Sequence, residues 1–385
     1  MSESFIPYGR QVIDDDDVAA VAAVLKSDWL TTGPLVGQFE AAFGAYVGAA
    51  HAVAVSNGTA ALHLAILAAR IGPGDEVIVP ALTFAASANC VRYAGATVVF
   101  ADVREDTLTI DPAHAASLIT PRTKAIVAVD YAGLPCDLDE LLAMCRRHNL
   151  LLIEDACHAP GATYRGRKVG GIADLTAFSL HPVKHMTSGE GGVVTSNNTE
   201  LAARVRLLRN HGIATDFRQR EEQGTWEYDV VELGFNYRLP DILCALALSQ
   251  LNKAPRWLEH RRAMAASYRD SFAGLAGRLL LQSEPDDCVH AYHLFPIRVV
   301  ADDRRGARRG LFTALRARNI GVNVHYKPVY LHSYYQQLGY RAGLCPVAER
   351  AYDSLLSLPM SHGLTQAQLA VVTGAVHESL NHASA

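Results

Sequence analysis

The sequence predicts an α/β protein built on a mainly parallel β-sheet with helices on both faces. Between residues 50 and 200, short apolar runs alternate with helical patterns, as expected for strands joined by helical crossovers. The apolar runs are continuous, which favours strands buried on both sides. The chain of 385 residues is long enough for two domains, and its content of 50% hydrophobic and 19% charged residues is typical of a folded globular protein.

The individual elements follow from local patterns along the chain. Strands are predicted at Ala52–Val55, Glu76–Val79, Thr97–Ala101, Ala125–Asp130, Leu150–Glu154, Leu175–Ser179, Gly192–Thr195 and Ala291–Val300. Helices are predicted at Asp14–Leu25, Ala60–Arg70, Leu138–His148, Pro240–Tyr268 and Gly310–Arg318. The first helix starts in an acidic run, which suits the partial positive charge of a helix N-terminus. We expect a large domain over residues 1–250 and a smaller C-terminal domain over residues 251–385.

Charge and composition exclude several classes of protein. The net charge of −4 argues against a nucleic-acid-binding protein, which would carry a basic surface. The seven cysteines are widely spaced and form no CxxC pair, so we expect neither a disulfide framework nor a metal site. The N-terminus lacks the pattern of a signal peptide, and no apolar run approaches the ~18 residues of a membrane span. We therefore expect a cytoplasmic protein that contacts no membrane.

A phosphate site is indicated at the end of the first predicted strand, in the motif SNGTAAL at residues 56–62. In α/β sheets, ligands bind at the carboxyl ends of the strands. Gly58 allows the backbone to approach a ligand closely, and Thr59 offers a hydroxyl beside the free amide groups of a helix start. A helix with an ordinary cap would have the same local sequence.

A carboxylate is predicted at the end of another buried strand, in the motif IEDACHA at residues 153–159. Burying Asp155 is costly without a cationic partner, and a protonated pyridine nitrogen would be such a partner. A loop acid beside a surface His158 is the alternative interpretation.

A candidate reactive lysine follows a third buried strand, in the motif FSLHPVK at residues 178–184. Burial would lower the pKa of Lys184 and free its amine for Schiff-base formation, and Ser179 could donate to a phosphate from the same turn. A lone lysine is ordinarily a solvated surface residue. The order and spacing of the three motifs therefore carry the argument.

The motifs SNGTAAL, EDACHA, SLHPVKH and LGFNYRLPDI, in this order, resemble the DegT/DnrJ/EryC1/StrS family of sugar aminotransferases. The resemblance runs from the WLTTGP segment at Trp29 to HYKPVYLHSYY at His325. It implies the aspartate-aminotransferase-like fold (fold type I), pyridoxal 5′-phosphate as cofactor, and a homodimer whose sites lie at the subunit interface.

Residue by residue, the resemblance implies roles around this cofactor. Lys184 falls on the Schiff-base lysine and Asp155 on the partner of the pyridine nitrogen. His158 stands where many members carry glutamine, near the phenolic oxygen. The other implied cofactor contacts are Thr59, Ala60 and Ser179 at the phosphate, Phe84 stacked on the ring, and Asn236 from the neighbouring subunit.

Other matched segments resemble those that hold the nucleotide sugar in the family. They are Tyr8, the run Asp28, Trp29, Leu30 and Thr31, and the run His325, Tyr326, Lys327 and Pro328. Ordinary packing explains these side chains equally well, since aromatic residues fill cores and interfaces. Asn236 has an alternative role as a helix cap before Pro240.

The SLHPVK motif and the LGFNYRLPDI–ALSQL stretch look like the PseC branch of the family. That resemblance implies transfer of an amino group from L-glutamate to the C4 ketone of a UDP-linked 4-keto-6-deoxy-N-acetylhexosamine, on the route to pseudaminic acid. An aminotransferase acting on a dTDP-linked ketosugar is the alternative. A dehydratase of the same family would carry histidine in place of Lys184, and a cofactor-sensing regulator would add a basic DNA-binding segment.

Overall fold

The computed structural model describes residues 5–215, 220 and 224–382; the remaining parts of the two predicted domains, including residues 1–4 and 383–385, lie outside this description. The helices are α1 Asp15–Leu25, α2 Pro34–Val47, α3 Gly58–Ala68, α4 Ala86–Tyr93, α5 Pro112–Ser117, α6 Leu138–His148, α7 Thr199–Arg209, α8 Asp241–Phe272, α9 Arg304–Ala317, α10 Ser333–Gln337, α11 Pro346–Ser354 and α12 Gln366–His382. The strands are β1 His51–Val55, β2 Glu76–Pro80, β3 Thr97–Ala101, β4 Thr123–Val129, β5 Leu151–Asp155, β6 Thr163–Tyr164, β7 Arg167–Lys168, β8 Leu175–Ser179, β9 Gly192–Ser196, β10 Leu279–Leu281, β11 Cys288–Val289, β12 Phe295–Val299 and β13 Leu355–Leu358.

A seven-stranded sheet in the order β1-β9-β8-β5-β4-β2-β3 forms the centre of the described chain. Neighbouring strands from β3 to β8 are parallel, whereas β9 runs antiparallel to both β8 and β1. Val77 and Val79 of β2 pack into one apolar cluster with α3 and α4, and Ile78 packs into another cluster with α6. Both faces of the sheet are therefore buried. The prediction of a mainly parallel sheet flanked by helices is confirmed, but the sequence analysis did not identify the reversed direction of β9.

A second apolar core forms around the C-terminal half of α8 and the small sheet β10-β12-β13. It contains Met264 and Tyr268 of α8, Phe295 of β12, and also Ile6 from the start of the chain. The helix α8 passes without interruption through residue 250, the boundary predicted between the domains. A division at that residue stays a prediction.

A tight turn after β4 brings three distant segments together behind the ends of the central strands. Gly133 lies in this turn with a φ of +106°, and its carbonyl accepts a hydrogen bond from the Ala291 amide at 2.9 Å. A Cβ atom at Gly133 would lie 2.7 Å from the His158 carbonyl oxygen and 2.8 Å from the Tyr292 amide nitrogen. Only glycine satisfies both the backbone angle and this close approach.

We expect Gly133→Ala to lower the free energy of unfolding by more than about 2 kcal/mol, because strain from positive φ adds to a backbone clash. Urea denaturation measures the loss. Gly166→Ala is the matched control, since Gly166 also has positive φ (+73°) but has no atom within 4 Å of an added Cβ. The control should lose only about 1–2 kcal/mol. Equal losses in the two variants would contradict the crowding at Gly133.

Candidate active site

A cavity of about 930 Å³ lies at the carboxyl ends of β4, β5 and β8. Its position agrees with the rule that ligands bind at the carboxyl ends of strands in α/β sheets. Many of the residues predicted from the sequence line this one cavity, namely Tyr8, Thr59, Ala60, Phe84, Asp155, His158, Ser179, Lys184, His325 and Tyr326.

Lys184 lies between β8 and β9, where its amide donates to the His181 carbonyl at 2.9 Å. Its side chain lines the cavity. Burial lowers the pKa of its ammonium below the ordinary value, although the Cys157 and Asp155 side chains act in the opposite direction. The lysine is thus a half-buried residue of the cavity wall, and a larger share of its amine is unprotonated at a given pH than for a surface lysine.

Asp155 ends β5 as a buried carboxylate whose oxygens are held from two directions. Ser87 Oγ of α4 donates to Asp155 Oδ2 at 2.6 Å, and the Cys157 amide donates to Oδ1 at 3.2 Å. Ser87 Oγ is in turn 2.7 Å from Thr83 Oγ1. These contacts fix the carboxylate at the cavity wall and leave it facing a site that a cation would complete.

The start of α3 forms a cradle suited to a phosphate group. The amides of Gly58 and Thr59 lie in the first turn, where a helix offers no internal acceptor for them, while Asn57 Oδ1 accepts from the Ala60 amide at 2.8 Å. A Cβ at Gly58 would lie 2.9 Å from Ser179 Cβ. Glycine therefore allows the Ser179 hydroxyl of β8 to approach the helix start.

His158, Tyr326 and His325 form a polar part of the cavity wall. His158 Nε2 is 3.1 Å from Tyr326 Oη, and His325 Nδ1 is 2.9 Å from Ser357 Oγ. Burial and the charge of Lys184 lower the pKa of His158 well below its ordinary value, and lower that of His325 to about 4. Both imidazoles are therefore neutral at neutral pH and offer one donor and one acceptor each.

Several cavity residues were missed in the sequence analysis. His63 and Tyr237 line the cavity with ring centroids 6.0 Å apart, and His293 lines it against His158, while Ser87 binds Asp155 from behind the lining. His293 fell inside the strand predicted at Ala291–Val300, but β12 begins only at Phe295. The sequence did offer one signal for His293, because it is a polar residue close to the start of a buried strand. No local pattern marked Ser87, which reaches Asp155 through the fold alone.

Other predicted site residues do not line this cavity within the described chain. Asp28, Trp29, Leu30 and Thr31 are exposed in the loop between α1 and α2, Lys327 is half-buried, and Pro328 is buried before a short 3-10 turn. Asn236 is exposed, and its backbone forms a bridge with Asn210. It does not cap α8, whose N-cap is Pro240, so the helix-cap alternative is wrong. The substrate and partner-subunit roles stay predictions.

Membrane spans and clusters of metal ligands are two further features on which the described residues give information. None of the helices in these parts of the chain combines the length and the apolar character needed to cross a membrane. Over the same residues, no group of three or more His, Cys, Asp or Glu side chains is arranged to hold a metal ion.

A lysine with a lowered pKa, a buried acid and a helix-start cradle at one sheet edge define a pyridoxal-phosphate-dependent enzyme of the aspartate-aminotransferase-like fold. The model of the DegT/DnrJ/EryC1/StrS aminotransferase family matches residues 11–377, and the chain belongs to this family. Pyridoxal phosphate is the cofactor of the family, which confirms the cofactor expected from the sequence.

Similar proteins cover the whole fold. The Bacillus subtilis spore coat polysaccharide biosynthesis protein SpsC is 41% identical over 377 residues, 97% of each chain. Spr1654 from Streptococcus pneumoniae in its PLP form is 30% identical with a TM-score of 0.91, over 98% of this chain and 99% of the other. Helicobacter pylori PseC, an aminotransferase involved in the biosynthesis of pseudaminic acid, is 32% identical with a TM-score of 0.89, over 98% and 100% of the two chains.

We expect Lys184 to lose its proton at lower pH than Lys253 in the cofactor-free protein. Burial lowers the pKa of Lys184, whereas for Lys253 partial burial is outweighed by ion pairs with Asp14 and Asp17, which raise its pKa. Reductive ¹³C-methylation followed by NMR titration of the dimethyl-lysine signals measures both pKa values in one sample. Coincident titration of the two lysines would contradict the burial of the Lys184 amine.

Proposed function

We propose that the protein transfers an amino group from L-glutamate to the C4 ketone of a UDP-linked 4-keto-6-deoxy-N-acetylhexosamine. The convergence of Lys184, Asp155 and the α3 cradle on one cavity is the observation that carries the transfer chemistry. The choice of sugar is supported by the similarity to PseC across nearly the whole chain and by the SLHPVK motif around the lysine.

The residues of the cavity fit pyridoxal phosphate at three points. The first-turn amides of α3, with Thr59 and Ser179, would hold its phosphate, and Asp155 would bind its pyridine nitrogen. His158 would supply the polar group for its phenolic oxygen: its Nε2 faces Tyr326, and its Nδ1 has no partner among the described residues. When bound, the cofactor supplies an electron-accepting ring and carries the amino group between the two substrates.

Lys184 anchors the cofactor and carries protons during the reaction. Its Nζ would move a proton from the α-carbon of glutamate to the cofactor in the first half of the reaction, and from the cofactor to C4 of the sugar in the second half. A base with a lowered pKa suits both tasks, because a larger share of it is unprotonated at a given pH and it can still accept a proton. Asp155 would keep the pyridine nitrogen protonated throughout, which would favour loss of the substrate proton.

Phe84 and Tyr8 are two aromatic residues of the cavity lining to which we assign different ligands. Phe84 is 58% exposed, and its ring is 6.0 Å from that of Tyr326. An exposed aromatic ring at the mouth of a cavity is suited to stack on a planar ligand. We assign Phe84 to the cofactor ring and Tyr8, His325, Tyr326, Lys327 and Pro328 to the nucleotide sugar.

A homodimer with shared active sites is the second part of the proposal. The segment before α8 exposes a set of large apolar side chains to solvent, namely Trp226, Tyr228, Val230, Val231 and Leu233. Clustered exposed apolar residues are typical of a subunit interface. Asn236 follows this segment, is exposed and is not among the residues that line the cavity of its own chain, which supports its role at the phosphate of the neighbouring subunit. The exposed residues Asp28 to Thr31 would complete the sugar site in the same way.

We expect Lys184→Ala to lower the amination rate by at least about 10²–10⁴-fold, because the variant loses its proton carrier. It should also lose the covalent link to the cofactor, which borohydride reduction and intact-protein mass spectrometry detect. Lys124→Ala is the matched control, since Lys124 is an exposed lysine of the same sheet. A covalent adduct of wild-type mass in Lys184→Ala would show that another residue is the anchor.

We expect inactive Lys184→Ala and Asn236→Ala chains to recover activity when refolded together. In a mixed dimer with shared sites, one site receives the intact Lys184 of one chain and the intact Asn236 of the other, and the second site receives both altered residues. About half of randomly formed dimers are mixed, so about a quarter of wild-type activity should return. Steady-state assays after mixing, with light scattering for the dimer mass, measure this. Absence of recovery by a mixed dimer of correct mass would place Asn236 outside the shared site.

The substrate is tested by incubating the protein with glutamate and a panel of UDP- and dTDP-linked ketosugars. Product mass and NMR identify the aminated carbon and the nucleotide. We expect amination at C4 of the UDP-linked N-acetyl sugar. Preference for a dTDP-linked sugar would replace the substrate proposal, and no amination of any member would overturn the transfer itself.

A further inference from the structure

His293 is a buried polar residue at the cavity that the proposed chemistry leaves without a role. It is only 5% exposed and lines the cavity, and its Nδ1 atom has no hydrogen-bond partner among the described residues. A buried polar atom without a partner costs free energy, so its presence at this position requires an explanation.

The ring of His293 lies against His158. The two ring centroids are 4.3 Å apart with an interplanar angle of 35°, so His293 covers one face of the His158 ring. The edge of His158 is held separately, because its Nε2 is 3.1 Å from Tyr326 Oη. One contact thus sets the ring plane, and the other sets the direction of Nε2.

The loop that carries His293 is tied down by a buried arginine. Arg261 Nη1 of α8 donates to the carbonyls of Tyr292 at 2.9 Å, His293 at 3.3 Å and Met360 at 3.2 Å. The Leu294 amide donates to the Ala132 carbonyl at 3.2 Å. Desolvating a guanidinium is costly, and burial lowers the pKa of Arg261 to about 9. The fold therefore holds this loop rigidly against the end of β5.

The protonation state of His158 follows from its surroundings. Burial and the charges of Lys184, His325 and His185 lower its pKa well below the ordinary value, and burial with Lys184 and His158 does the same for His293. Nδ1 of His158 is out of contact with solvent and has no hydrogen-bond partner in the part of the chain that the structure describes. A proton on Nδ1 would leave a buried N–H unpaired, whereas a proton on Nε2 leaves only an acceptor unpaired, which is less rare in proteins.

We propose that His293 is a positioning residue that keeps His158 neutral, with its proton on Nε2, by covering the ring face and excluding water from Nδ1. His158 then presents an N–H donor to Tyr326 and to the phenolic oxygen of the cofactor. This inference rests on the proposed function for the cofactor contact, but the state of the His158 ring is a property of the chain alone.

The test records long-range ¹H–¹⁵N spectra of ¹⁵N-histidine-labelled protein without cofactor, with His158 assigned through His158→Gln. In the wild type we expect the neutral Nε2–H form, with no titration near the ordinary value of about 6.5. In His293→Ala, water reaches the ring, and His158 should show mixed tautomers and a pKa within about one unit of 6.5. His293→Phe restores the cover without a nitrogen atom, and it should restore the wild-type pattern of His158.

His185 is an internal control for the position of the loop. Its Nε2 is 2.8 Å from the Ala291 carbonyl, which can only accept, so His185 carries its proton on Nε2 while the loop is in place. An unchanged His158 in His293→Ala would overturn the proposal. An altered His158 in His293→Phe with an intact His185 pattern would also overturn it. Loss of the His185 pattern in His293→Phe would show that His293 supports the loop and does not act on His158. That result would also overturn the proposal.

Kinetics of the complete enzyme separate this inference from the proposed function. His293→Ala should lower kcat for amination by up to about 10²-fold through misplacement of the polar group, with a smaller effect on KM for glutamate and partial recovery in His293→Phe. Expected spectra together with no amination of any sugar would contradict only the proposed function. Amination with unchanged spectra and rates in both variants would contradict only the role of His293.

Discussion

Asp155 is a buried carboxylate at the end of β5, and the surrounding structure is organised to offset the free-energy cost of its burial. Burying a carboxylate in a protein interior costs several kcal/mol unless donors or cations surround it. Ser87 of α4 and the Cys157 amide donate to its two oxygens, and Lys184 of the next strand connection lies on the same cavity wall. Helix α4, strand β5 and the connection after β8 must therefore keep one fixed geometry. Any shift of these elements would leave the acid without its donors.

The opposite face of the same sheet edge carries a second acidic arrangement. Asp130 and Glu154 are both fully buried; the Cys136 amide donates to Asp130 at 3.0 Å, and Thr176 Oγ1 donates to Glu154 at 2.9 Å. Burial and the proximity of the two carboxyls raise the pKa of Asp130 well above its ordinary value, and burial raises that of Glu154 to about 7. The pair therefore holds a proton near neutral pH. It adds less negative charge behind Asp155 than two ionised acids would, which makes one charged carboxylate at the cavity tolerable.

The histidine side of the cavity depends on segments that are far apart in the sequence. The turn at Gly133, the loop after β5 with His158, and the loop before β12 with His293 meet behind the cavity, and Arg261 of α8 ties the last of them in place. Neutral imidazoles next to Lys184 are consistent only with a dry wall, because water would allow them to be protonated. The same rigidity that excludes water also fixes where their donors point.

The sequence by itself predicted the seven strands of the central sheet, five of the helices and the polar residues at the ends of these strands. Continuous apolar runs predicted the buried strands closely, because a strand covered on both faces has apolar residues at nearly every position. The motifs around Asn57, Asp155 and Lys184 were readable because each lies where a strand ends, and strand ends converge on one edge of a parallel sheet. The antiparallel course of β9 was not readable, because strand direction depends on the path of the connection and not on the residues of the strand.

Only the tertiary structure decided which polar groups meet. Ser87 and Asp155 are 68 residues apart, and His158 and Tyr326 are 168 residues apart, so no local pattern reports either contact. The same holds for Gly133, whose need for glycine comes from the backbone of two other segments. The local sequence indicates secondary-structure propensity and which positions are buried. The lowered pKa of Lys184 and the neutral state of His158 arise instead from desolvation and charge supplied by distant parts of the chain.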